Sequence, residues 1–267
     1  MRIFSRKKSE NTAHEPVGSD VSAPVSANHF QHAEHTKKRK EKNLLPVSGS
    51  NLFEADQFRG LRTKLLFPAS GRRPRSIAVT GAGMGEGKSF VAANLAVCIA
   101  QNVDNRQTLL IDCDMRVPAV HRMFGFADGP GLSEYLSSDI PLASLIFKTD
   151  VDKLTILPGG TPPENPSELL SSVKMTDFLR EIQSRYDDRY IVADLPSPRL
   201  VPEAELIVRQ VDGTVIVAGY GKTPVSHVKE LIELLGKDKI LGIVFNRVDT
   251  SMHSSLYRMY RKFVRRK

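Results

Sequence analysis

The stretch Ser76-Ile-Ala-Val-Thr-Gly-Ala-Gly-Met-Gly-Glu-Gly-Lys-Ser-Phe90 decides how the rest of this 267-residue chain is read. Its apolar start, Ile77 to Val79, predicts a short buried strand. Beyond it, Val91, Leu95, Cys98 and Ile99 recur at helical spacing. The glycine-rich run from Gly81 to Glu86 joins the two, and Gly87-Lys88-Ser89 closes it. Strand, glycine loop and helix start are what a phosphate-binding loop requires. Glycines let backbone N–H groups converge on phosphate oxygens, and the helix N-terminus adds partial positive charge. Lys88 then reaches the β- and γ-phosphates, and the Ser89 hydroxyl ligates Mg²⁺. Ala82 stands where the motif usually has its first glycine. The plain alternative is a tight turn with no ligand, but few such turns end in Gly-Lys-Ser between a strand and a helix.

Working outward, apolar runs alternate with helical patterns. Strands are expected at Thr108 to Ile111, Leu154 to Leu157, Tyr190 to Ala193, Thr214 to Ala218 and Ile240 to Phe245. Helices are expected from Gly131 to Leu136, after Ser167, from Met175 to Tyr186 and from Pro224 to Leu235. This is the pattern of an α/β P-loop NTPase, a mostly parallel central sheet covered by helices on both faces. The second strand runs into Asp112-Cys-Asp-Met-Arg-Val-Pro118. Asp112 and Asp114, two apart on an extended chain, face one side, where α/β sheets bind ligands. Two neighbouring carboxylates repel, so Mg²⁺ or a shared proton is expected beside them. One would hold Mg²⁺ through water while the other accepts a proton from an attacking hydroxyl. An Asp-rich turn that merely closes the strand is the alternative. Asp194 closes another apolar run and reads as the second acidic element of such sites, a holder of Mg²⁺ or its water. Asn246 follows the last strand, where its amide would read an adenine edge; its ordinary use would be as a turn former.

Composition bounds the rest. Hydrophobic residues make up 40% and charged residues 25%, as in ordinary globular chains. No apolar run approaches the roughly 18 residues that cross a bilayer, and the N-terminus lacks the apolar core of a secretory signal. Cys98 and Cys113 have no metal-ligand or redox-pair spacing and read as reduced cytosolic thiols. The net charge of +8 lies at the ends: residues 1–45 hold nine Lys/Arg against five Asp/Glu, and residues 256–267 hold six Lys/Arg and no acid. The body is slightly acidic, which argues against a nucleic-acid-binding core. Basic ends meet anionic membranes weakly, or acidic partners, or nothing specific.

Residues 1–50 read as a disordered basic tail and linker, with Lys37 to Lys40 either a lipid-facing patch or a solvated charge run. Asn51 is placed to cap a helix whose apolar stripe is Leu52, Phe53, Phe58, Leu61, Leu65 and Leu66. On that helix Asp56, Arg59 and Arg62 stand three apart. They are either solvated charges supporting one another or a set suited to an anionic groove on a neighbouring subunit. A nucleotide domain over 51–250 follows from these readings, then a basic tail over 251–267. There Leu256, Met259, Tyr260 and Phe263 recur at helical spacing, as a docked helix, a membrane-surface helix or a frayed tail.

Several of these stretches, taken in order, resemble one family. They are Gly85-Glu-Gly-Lys-Ser89, Leu109-Leu-Ile-Asp-Cys-Asp-Met-Arg-Val-Pro118, Pro166-Ser-Glu-Leu-Leu170, Tyr190-Ile-Val-Ala-Asp-Leu-Pro196 and Gly242-Ile-Val-Phe-Asn-Arg-Val248. Together they are similar to the bacterial tyrosine kinases, the cytoplasmic ATPase domains of capsule and exopolysaccharide biosynthesis. The resemblance covers residues 52 to 250 and implies the fold of the cell-division and partitioning ATPases. It implies ATP and Mg²⁺ as cofactors, cradled by Gly83, Met84, Gly85, Glu86, Gly87, Lys88, Ser89 and Phe90, with Asn246 and Arg247 at the base.

The resemblance further implies Asp112, Asp114 and Lys88 as catalytic groups, and Ser89, Asp112 and Asp194 around the metal. Asp56, Arg59 and Arg62 fall on the family's Glu-x-x-Arg-x-x-Arg oligomerisation motif, by which a helix docks on the next subunit of a ring. An inner-membrane polysaccharide co-polymerase supplies the activating cytoplasmic segment in that family, so a cytoplasmic protein held peripherally at the inner membrane is expected. Tyr257 and Tyr260 are the tail's phosphoacceptor candidates, in place of a tyrosine cluster. Three places depart from the family pattern: Leu195 for a usual Thr, Met84 for a frequent Pro, and that sparse tail. The leading expectation is a tyrosine autokinase regulating polysaccharide assembly. A nucleotide-binding scaffold without tyrosine transfer and a partitioning-type ATPase are the alternatives. The last is disfavoured because Gly83 stands where those ATPases carry a second lysine.

Overall fold

The computed structural model describes Leu44, residues 52–68, Gly71 and residues 73–102, 106–184 and 188–248. The expectations for residues 1–43, the Asn51 cap and the Tyr257 and Tyr260 tail lie outside the described residues. Helix α1 (Leu52–Leu66) leads into β1 (Ser76–Gly81), α2 (Lys88–Ala100) and β2 (Gln107–Asp112). Short helices α3 (Val120–Met123) and α4 (Leu132–Ser137) precede β3 (Phe147–Lys148) and β4 (Leu154–Leu157). Then come α5 (Pro166–Ser171), α6 (Val173–Ser184), β5 (Arg189–Asp194), α7 (Ala204–Gln210), β6 (Gly213–Gly219), α8 (Val225–Leu235) and β7 (Ile240–Asn246).

The strands form one sheet in the order β3-β4-β2-β5-β1-β6-β7. Every pairing is parallel except the two-residue β3, which runs antiparallel to β4 at one edge. Strands β1, β5 and β6 are buried along their whole length, as parallel strands covered on both faces must be. Val-, Ile- and Ala-rich runs with no polar alternation are how the sequence announces that. β3 is too short to carry a period, and the two helices α3 and α7 are likewise absent from the sequence reading. The remaining elements fall within a few residues of expectation.

Each face has its own core. On one, α2 is buried from Val91 to Ala100, apolar on all sides because it lies between the sheet and α1. Ala55, Phe58, Leu65 and Leu66 of α1 close over it, with the Phe58 ring edge-on to Phe90 at 5.9 Å between centroids. Burial of each of the larger of these side chains contributes about 1.5–3 kcal/mol. On the other face, Leu132, Leu169, Phe178, Ile207 and Leu231 bring α4 through α8 onto Ile111, Ile191 and Ile216. Strand β7 differs: as the other edge it alternates half-buried and exposed residues. No helix among the described residues is long and apolar enough to cross a membrane.

Candidate nucleotide and metal site

Because β2, β5 and β1 are adjacent and parallel, everything that follows their C-terminal ends converges. Asp112 is the cross-strand partner of Asp194, and Val79 of β1 is the partner of Asp194 on its other side. The chain leaves β1 at Gly81 and turns into α2 through Gly85 (φ 69°) and Gly87 (φ 92°), left-handed conformations that glycine adopts without strain. A side chain at Gly87 would also collide with the Asn246 amide. No side chain caps α2, so the N–H groups of its first turn point free of intrahelical partners, as an anion site requires. The Lys88 ammonium donates to Gly83 O at 2.9 Å, curled back over the loop it serves. Met84 stands exposed at the loop's apex. The Phe90 ring is committed to Phe58, which leaves only its backbone for a phosphate.

Glu86 is the hub of this loop, a role the sequence reading missed. Its buried carboxylate accepts the Gly83 N–H at 2.9 Å and the Thr223 hydroxyl at 2.6 Å. Its carbonyl accepts the Asn246 side-chain N–H at 2.8 Å. Asn246 Oδ1 in turn takes the Arg247 N–H at 2.9 Å, with Arg247 at φ 60°. The Asn246 amide, expected on an adenine edge, thus braces the loop through its nitrogen and the turn after β7 through its oxygen. From the other side Arg199 donates to Ala82 O at 3.1 Å while pairing with Glu230 of α8 at 2.9 Å. No local signal announces the braces from Thr223, Asn246 and Arg199 to the loop, since each joins residues more than a hundred positions apart.

The three acids differ in their surroundings. Asp112 is fully buried and accepts backbone N–H groups from Ala119 at 2.8 Å, Val120 at 3.0 Å and Asp114 at 3.1 Å. Burial pushes its carboxyl up to about 6, with the N–H groups of Val120 and Ala119 holding it from going higher. Asp114 is half-buried and also raised by burial, with Lys88 opposing. It is the more open of the pair. Asp194 is raised well above the carboxylate range by burial and by the charge of Asp112. Both its oxygens are buried and have no hydrogen-bond partner among the described residues. The Ser89 hydroxyl lies close enough to favour its charged form without completing a hydrogen bond of good geometry.

An orphaned buried carboxylate beside two others calls for positive charge, so the donor set fits Mg²⁺. Among the described residues no group of three or more His, Cys, Asp or Glu side chains is arranged to hold a metal alone. Mg²⁺ commonly binds by one or two protein oxygens, waters and substrate phosphates. Around the rim, a side chain at Gly159 would press on Pro118 and the Asp112 carboxyl carbon, and Arg116 donates to Ser167 at 2.7 Å. On α1, Arg59 pairs with Asp56 within its own helix. Arg62 instead donates to Cys98 O at 3.2 Å, capping the last turn of α2.

Residues 77–266 match the model of the CobQ/CobB/MinD/ParA nucleotide binding domain. The tyrosine-protein kinase YwqD of Bacillus subtilis is 34% identical over 218 residues, 81% of this chain and 90% of that protein. The tyrosine-protein kinase CpsD of Streptococcus agalactiae is 35% identical over 202 residues, 74% of this chain and 85% of that one. Among solved structures, the kinase domain of Escherichia coli tyrosine kinase ETK superposes with a TM-score of 0.70 at 29% identity, over 83% of this chain and 86% of that one. By these matches the chain belongs to the bacterial tyrosine-protein kinases, within the CobQ/CobB/MinD/ParA nucleotide-binding family.

Proposed function

We propose that this protein is an ATP-dependent tyrosine autokinase that regulates capsule or exopolysaccharide assembly from the cytoplasmic side of the inner membrane. The observation that carries it is the convergence of Lys88, Ser89, Asp112, Asp114 and Asp194 at the ends of three adjacent strands. The N–H groups from Met84 to Ser89 bind the phosphates, and Lys88 leaves Gly83 O to pair with the β- and γ-phosphates. Mg²⁺, when bound, neutralises phosphate charge; Ser89, Asp194 and Asp112 would hold it or its waters. Asp114, open and beside Lys88, accepts the proton of an incoming tyrosine hydroxyl, and Asp112 positions it through the Asp114 N–H. As the tyrosine oxygen bonds to the γ-phosphorus, the bridging oxygen leaves with ADP.

The acceptors in this reading are Tyr257 and Tyr260, reached in a neighbouring copy of the ring in which Asp56, Arg59 and Arg62 mediate contact. A membrane co-polymerase is the activating partner, and the nucleotide unit spans 51–250 between the two basic ends. Asn246 and Arg247 border the base. The test is incubation of purified protein with Mg-ATP and mapping of phosphotyrosine by mass spectrometry, with Asp114→Asn alongside. Phosphotyrosine in the wild type and none in the variant is expected; phosphotyrosine in both removes Asp114 from the reaction. One feature favours a second reading, a nucleotide-binding scaffold without transfer: Leu195, fully buried, puts an apolar side chain where the family has a hydroxyl near the metal. ATP hydrolysis or nucleotide binding with no phosphotyrosine would select it.

A further inference from the structure

Strand β7 closes the sheet at one edge, and its outward pattern breaks the rule the other long strands obey. Where β1, β5 and β6 are buried throughout, Leu241, Ile243 and Phe245 are exposed by 37%, 39% and 62%. Register places Ile243 beside Ile216 and Phe245 beside Ala218. Ile243 and Phe245 therefore lie on the face that α8 covers further in, where Ile216, Leu231 and Leu235 share one core, whereas Leu241 falls at the register shift of β7 and lies against Gly213. Val248, the last described residue, is exposed at the end of the same strand. A contiguous apolar edge of this kind is a surface that something covers.

We propose that the chain's own C-terminal segment is the cover, with Leu256, Met259, Tyr260 and Phe263 seated on Ile243 and Phe245. Three observations select this occupant. The segment begins where the patch ends, directly after Val248. The match to the nucleotide-binding domain runs to residue 266, so the pattern of the domain includes these residues. The dimensions also agree. Ile243 to Phe245 spans about 7 Å at the rise of a strand, which the roughly 10 Å from Leu256 to Phe263 at the rise of a helix covers. The eight steps from Val248 to Leu256 reach up to about 27 Å, ample for a reversal of direction. Tethering gives the segment an effective concentration of the order of mM, which a second copy at micromolar concentration does not match. By helical spacing Tyr260 then faces the sheet, while Tyr257 and the basic residues remain outside. Docking of this kind shields Tyr260 and leaves Tyr257 as the reachable acceptor of the proposed autokinase.

Cysteine pairing in the full-length chain tests this, because native Cys98 and Cys113 are buried. Phe245→Cys combined with Phe263→Cys is expected to form an intrachain disulfide under mild oxidation. Phe245→Cys with Arg265→Cys, on the opposite side of the stripe, is not. Equal yields from both pairs, or disulfide-linked dimers in place of intrachain bonds, overturn the proposal, the second outcome assigning the patch to another copy. Trypsin provides a measurement without engineered thiols: cleavage after Arg258 and Arg261 is expected to be about tenfold faster in Phe245→Asp than in the wild type, since opening controls access. Equal rates refute the docking, as does protection of the wild type that arises only on addition of phosphatidylglycerol vesicles.

Discussion

Asp112→Asn tests the electrostatics of the site through stability, without requiring turnover. The Asp112 carboxyl is ordinary at 3.8 when solvated and rises to about 6 in the folded protein. The native state therefore holds this proton more tightly than the unfolded chain does. Its favourable contribution is complete below about pH 4 and is lost as pH rises through about 6. At about 1.4 kcal/mol per pH unit, the gap amounts to about 3 kcal/mol of destabilisation at neutral pH. Asparagine removes that cost but also presents an amine where backbone N–H groups now donate, a pH-independent loss of about 1–2 kcal/mol. Urea unfolding of nucleotide-free wild type and variant between pH 4.5 and 7.5 separates the two effects. The variant is expected to be the less stable at pH 4.5 and to gain on the wild type by about 2–3 kcal/mol by pH 7.5. A difference that stays flat across that range would mean that Asp112 is ionised throughout and the clustered-acid account is wrong. Asp194, raised by the same burial and by Asp112 itself, moves the comparison in the same direction.

Lys88→Ala removes the loop's cation and is expected to weaken nucleotide binding roughly 100-fold, about the worth of a charge-assisted bond; fluorescent-nucleotide titration checks it. Thr223→Val strips the hydroxyl from the buried Glu86 carboxylate, so the fold should lose about 1–3 kcal/mol and nucleotide affinity should fall although residue 223 touches no phosphate. Calorimetry with and without Mg-ATP reads both effects. Arg59→Glu should disperse any assembly formed under Mg-ATP while leaving the thermal midpoint nearly unchanged. Arg62→Glu should lower that midpoint as well, because Arg62 caps α2 through Cys98 O. Light scattering and thermal melts distinguish the two.

Legibility from sequence followed the range of the interactions. Buried parallel strands such as Tyr190 to Ala193 announce themselves because both faces are apolar. Gly85 and Gly87 announce a turn because few other residues take their φ without strain. Gly-Lys-Ser named the phosphate site, and strand-terminal Asp residues named its acids. Strand order was not legible. Asp112 and Asp194 become cross-strand partners because β5 inserts between β1 and β2, a fact of topology that no local pattern carries. Asn246 shows the same limit: nothing local to an amide after a strand announces that it also holds the carbonyl of Glu86. The split between Arg59 and Arg62 also needed three dimensions, since one pairs within its helix and the other reaches across to α2.

The braces on Glu86 also set an order of events during synthesis. The phosphate loop leaves the ribosome early, but Thr223 and Asn246 lie 137 and 160 residues downstream of Glu86. Asp194 must also arrive before β1 and β2 have a strand to separate them. Contacts of such long sequence separation form late and slowly. A nascent or truncated chain that ends before residue 246 therefore has the motif without the site. The loop's final shape is thus fixed by the last strand of the sheet to be made, not by the segment that carries its motif.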